Sequence, residues 1–131
     1  MRTPIDMAAE LAAWITEQGH SATPAPLPDD FASSLPITLI TSLGGSRTWP
    51  VIDTHRVQVE TYADHMADAM DEARGVFAVI DSINDAYPII GGVQTYGAET
   101  GGLPAESSDP NQPTLSVAAF VVQIRARTQE I

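Results

Sequence analysis

Apolar and polar positions along this chain follow two periods, and the switches between them lay out its elements. Ile5, Met7, Ala8, Leu11, Trp14 and Ile15 recur at three-to-four spacing while Asp6, Glu10 and Glu17 fall opposite, which predicts a helix with one buried face. Thr3 followed by Pro4 reads as its N-cap and first helical position, Asp6 suits the positive end of the helix dipole, and Gly19 supplies a left-handed stop. A period of two takes over where Ile37, Leu39 and Leu43 alternate with Thr38, Ile40 and Ser42, predicting a half-buried strand that ends at Gly44-Gly45. Val57, Val59 and Thr61 then face one way and Arg56, Gln58 and Glu60 the other. This second strand is expected to pair antiparallel with the first, across a loop holding Arg47, Trp49 and Pro50 that exceeds a tight turn.

Helical spacing returns after Asp64, read as a cap, with Met66, Met70, Ala73, Phe77, Ile80 and Ile83 as the apolar stripe and Asp68, Asp71, Glu72 and Asp81 as the wet face. Gly75 costs this helix about 1 kcal/mol relative to Ala and permits close packing. Ile89, Ile90 and Val93 predict a Gly-containing strand, and 115–127 the clearest one, with Phe120, Val122, Ile124 and Ala126 on one face and Gln123, Arg125 and Arg127 on the other. Two segments break the periodicity. The Pro-rich stretch 20–36 reads as a stiff connector, with Asp29 capping a short turn and the Phe31 ring pinning it to the body. The Gly/Pro/Ser-rich stretch 97–113 reads as a long loop and a first candidate for partner contact. The expected fold is a single α+β domain over 1–131: a mainly antiparallel four-stranded sheet with two helices on one face, in the order α-β-β-α-β-β.

Charge changes this picture more than composition does. A hydrophobic fraction of 44 % and a charged fraction of 18 % are ordinary for a globular domain, but 17 acidic residues against 6 Arg and no Lys leave a net charge of -11. Such a surface repels duplex phosphate, so tight or sequence-specific nucleic-acid binding is disfavoured, whereas DNA sliding past it is not. With no Cys there is no disulfide, thiolate nucleophile or thiolate metal site. Asp6 and Glu10 interrupt a secretory-leader pattern and no apolar run reaches membrane-spanning length, so a soluble chain made in the cytoplasm is expected, without membrane partners.

Catalytic chemistry finds no support in the spacing. No Ser lies in a nucleophile elbow, Gly91-Gly92 and Gly101-Gly102 lack the spacing of a phosphate cradle, and adjacent acids such as Asp29-Asp30 or Asp71-Glu72 read as solvated surface. His65 and Asp68 lie one helical turn apart, a permissible ligand pair, but no third histidine joins them; His55 reads as a strand residue with a satisfied ring nitrogen. Neither enzyme, metal nor cofactor is expected. Interface chemistry has better candidates: Arg47, Trp49, Leu103, Arg125 and Arg127, because Trp and Arg are the types in which interfaces concentrate their energy.

Leu35-Pro36, Leu43-Gly44-Gly45, the alternating strand from Asp53 to Tyr62 running into Ala63, the Ala-rich helix, and the closing Val121-Val122-Gln123-Ile124-Arg125-Ala126-Arg127 together resemble the tail terminator (tail-completion) proteins of long-tailed actinobacterial bacteriophages. The long 97–113 loop departs from that pattern. The resemblance implies a virion protein of the tail and neck: a homo-oligomeric ring, commonly of six subunits, that sits on the tail tube protein, ends its polymerisation, joins it to the head-tail connector and lets genomic DNA through its lumen. Other readings are a neck protein lying between portal and terminator, a small-molecule binder using the sheet face, and an acidic nucleic-acid mimic that blocks a basic partner.

Overall fold

The computed structural model describes residues 1–130. In chain order the elements are β1 (Arg2–Thr3), α1 (Met7–Glu17), β2 (Ala22–Pro24), a 3-10 turn (Phe31–Ser34), β3 (Ile37–Trp49), β4 (Ile52–Ala63), α2 (Met66–Asp81), the one-turn α3 (Ile83–Ala86), β5 (Ile89–Ile90), β6 (Val93–Thr100), β7 (Ala105–Ser107), β8 (Ser116–Arg127) and β9 (Gln129–Glu130). The expected four-stranded sheet is corrected to a mixed sheet of seven strands, ordered β2-β3-β4-β8-β6-β5 with β7 also on β8, beside a separate pair β1-β9. Among the described residues only β2 on β3 is parallel.

The strands added to the main sheet were hidden for local reasons. β2 lies inside the Pro-rich connector: Ser21 O accepts from Thr38 N and Ala25 N donates to Ile40 O, both at 2.9 Å, so alternation turns the Pro24 nitrogen away from the ladder. Gly44-Gly45 does not end β3 but forms a bulge between the pairs Ser42↔Val57 and Gly45↔His55, and the strand continues to Trp49. The loop expected around Arg47 and Trp49 is therefore strand, closed by the short Pro50-Val51 turn. Gly91 and Gly92, with φ of +62° and +76°, form the two-residue turn of a β5–β6 hairpin, which replaces the single Gly-containing strand. The long loop shrinks at both ends: 97–100 belong to β6, and β7 pairs with β8 in the register Ala105↔Ala119 to Ser107↔Val117.

Pair registers fix which side chains share a face. Ile40, Val57, Val59, Phe120, Val122 and Ile124 point to the side covered by α1 and α2 and form the main core with Leu11, Ile15, Val76 and Ile80. Helix α1 is capped by Asp6, whose carboxylate accepts from Ala9 N at 3.2 Å; Thr3 sits in β1 instead. On α2 the buried stripe is Ala69, Ala73, Val76 and Ile80, rotated from the expected one, because the small Ala side chains bring the helix against Ala63 and Ala118 while Met66, Met70 and Phe77 lie at its margins. Its N-cap is His65, with no side-chain bond, rather than Asp64. A second core on the opposite sheet face gathers Ile37, Leu39, Tyr62 and Val117 under Leu27, Phe31 and Leu35 of the connector, with Phe31 edge-on to Tyr62.

The two long edges of the sheet differ. Beyond β5, the β6 edge is closed by Asn84, whose amide donates to Ala98 O at 2.8 Å and accepts from Ala98 N at 2.9 Å, imitating a strand. On the other side β2 covers only Thr38 to Ile40, and the rest of β3, as far as Trp49, has no outer strand among the described residues.

Candidate subunit interface

The sheet face turned away from the helices is covered at the Tyr62 end and open at the other. Across the open end the register sets Ile52 opposite Arg127, Thr54 opposite Arg125 and Arg56 opposite Gln123, so three Arg side chains leave one face of two neighbouring strands, the guanidinium of Arg125 reaching over Gly97 of β6. Trp49 pairs with Ile52 and joins the same row as Arg127; its side chain is 64 % exposed. Leu103, 77 % exposed, stands on the turn between β6 and β7 and borders a groove of about 390 Å³ with Arg56, Glu99, Val121 and Gln123. Trp49, Leu103, Arg125 and Arg127 thus lie on or around one open face, together with Arg56. Alternation along the sequence turns Arg56 outward, but only the β4–β8 register shows that it shares a face with Arg125 and Arg127.

Arg47 belongs elsewhere. Its Nε and Nη2 donate to the two carboxylate oxygens of Asp53 at 2.7 and 3.2 Å, and Asp53 is only 5 % exposed. That hydrogen bond raises the affinity of the Arg47 guanidinium for its proton, and the fork neutralises the buried acid. Beside it, in a groove shared with Pro4, Ile5 and Gly45, His55 carries a buried Nε2 with no partner, contrary to the satisfied nitrogen expected. Burial lowers its pKa below the usual 6.5, with Asp53 opposing in part. At the covered end, Tyr62 donates its hydroxyl to Asp109 at 2.8 Å, and its pKa rises through burial and that bond. Glu60 on the same face is shifted upward by burial and by the neighbouring Asp109.

The opposite charge collects around the start of α2. Asp64, His65, Asp68, Asp71 and Glu72 line a groove of about 360 Å³ whose remaining walls are Leu35, Pro36 and Ala63. Glu72 is bonded to His20, which fills the space above Gly75: a Cβ there would meet the imidazole at 2.9 Å. His65 and Asp68 do share this groove, but no three His, Asp or Glu side chains converge as metal ligands among the described residues. No family model matches the chain, and no curated protein matches it.

Proposed function

We propose that this chain is a structural virion protein, a tail terminator of a long-tailed bacteriophage. It acts as a ring, of six subunits on the family pattern, that caps the tail tube, ends its growth and joins it to the head-tail connector while DNA passes through the centre. The observation that supports an assembly role is the row Trp49, Ile52, Arg127: a large exposed ring and an unpaired guanidinium on the two strands that flank β4. Aromatic and Arg side chains are the types in which protein interfaces concentrate their energy. No catalytic step is assigned.

The test is negative-stain electron microscopy of the purified protein, alone and mixed with the tail tube protein encoded near it. Closed rings with a central hole, or tubes ended by one extra ring, are the expected result. Monomers that leave tube length unchanged would overturn the reading.

A further inference from the structure

Of the six basic side chains, Arg2 pairs with Glu130, Arg47 with Asp53 and Arg74 with Asp71. The other three, Arg56, Arg125 and Arg127, have no acid within ion-pair distance among the described residues, and all three lie on the open sheet face. In a chain of net charge -11 an unneutralised basic strip is not a by-product of composition. The acidic groove of Asp64 and Asp68 also lacks cationic partners for those two side chains, and it lies at the other end of the same strand. Strand β4 starts beside Arg127 and ends at Ala63, in the groove wall; its 12 residues span roughly 35 Å. One molecule therefore cannot bring its own strip to its own groove.

We infer that the Arg56/Arg125/Arg127 strip of one copy docks into the Asp64/Asp68 groove of the next, giving a head-to-tail contact along the β4 axis. Charge complementarity names the occupant. The groove offers apolar walls, Leu35 and Pro36, for the methylene stem of an Arg, and carboxylates at its rim for the guanidinium. Two different patches that fit each other make a heterologous interface, which closes into a ring when the rotation per copy allows it. The contact also answers the repulsion between strongly acidic copies, since it sets the unneutralised cations against the densest acids. This inference rests on the ring reading above and specifies its interface.

Sedimentation velocity of the full chain tests it with paired charge reversals. Arg125→Glu with Arg127→Glu, and separately Asp64→Arg with Asp68→Arg, should each weaken self-association by about tenfold or more. Mixed in equal amounts the two variants should assemble again, because each strip then meets a groove of opposite sign. Circular dichroism checks their folding, and if the Arg pair unfolds, Asp64→Asn with Asp68→Asn replaces it, with weakened self-association of that variant alone as the readout in place of the mixture. Rings that ignore the reversals, or a mixture that stays dissociated, would overturn this interface and leave the ring reading standing. Native protein that remains monomeric at every concentration and also leaves the tail tube uncapped would overturn both. If strip reversal abolished retention of a short DNA duplex while leaving assembly intact, the strip would serve nucleic acid and the inference would fail.

Discussion

Gly44 and Gly45 are neighbours with positive φ, of +88° and +151°, and yet they constrain the chain differently. A Cβ on Gly44 would meet nothing within 4 Å, whereas one on Gly45 would fall 2.0 Å from the carbonyl oxygen of Thr54 in the facing strand. Gly44→Ala should therefore lower stability by about 1 kcal/mol through backbone strain alone. Gly45→Ala should cost about 3 kcal/mol, because the β3–β4 ladder must open; urea midpoints of the two variants check the difference. His55 makes a second residue-scale prediction. Its folded pKa lies below the unfolded 6.5, so as pH falls below 6.5 the unfolded chain takes up a proton that the folded chain refuses. The contribution is fully favourable above that value and is lost on acidification until the folded pKa is passed. Relative to wild type, His55→Gln should flatten the fall in the urea midpoint between about pH 6.5 and 5, a window above the ordinary carboxylate range in which the upshifted Glu60 acts in the opposite sense in both proteins. An unchanged slope would assign that fall to other groups.

At the scale of elements, the Asn84 amide stands in for a strand that the sheet lacks. Asn84→Ala leaves the Ala98 N–H and C=O without that partner and should cost about 2 kcal/mol, with faster hydrogen exchange at the Ala98 amide as the local readout. Long alternating strands were legible in the sequence: β4 and β8 each run 12 residues, and their facing follows directly from parity. The Gly-Gly pairs were not legible, since one dipeptide does three things here: it bulges a strand at Gly44-Gly45, turns a hairpin at Gly91-Gly92 and bends a loop at Gly101-Gly102. Nothing local to two glycines says which, because the outcome depends on the strand that faces them. The same dependence limited the candidate site. Arg125 and Arg127 could be read as outward-facing, but the capture of Arg47 by Asp53 requires β3 to continue past its bulge, and placing Arg56 on the same sheet face as Arg125 and Arg127 requires a register.

For the whole molecule, the prediction concerns assembly. Trp49→Ala removes a ring that is mostly solvent-exposed, so the monomer should keep its stability within about 0.5 kcal/mol while sedimentation shifts toward smaller species. Unchanged sedimentation would remove Trp49 from the candidate interface. Together with the charge reversals this separates an apolar anchor at the hairpin end from an electrostatic contact along β4.

The unequal edges of the sheet carry one more consequence. With β6 closed by Asn84 and β5, and only β3 presenting a long unpaired edge between Thr41 and Trp49 among the described residues, these residues offer a single long site at which another strand can add. In the vocabulary of polymer chemistry such a unit is monofunctional. It can stop a growing row of strands but has no second long valence with which to carry the row on, so backbone pairing alone leads to a closed pair and not to a fibre.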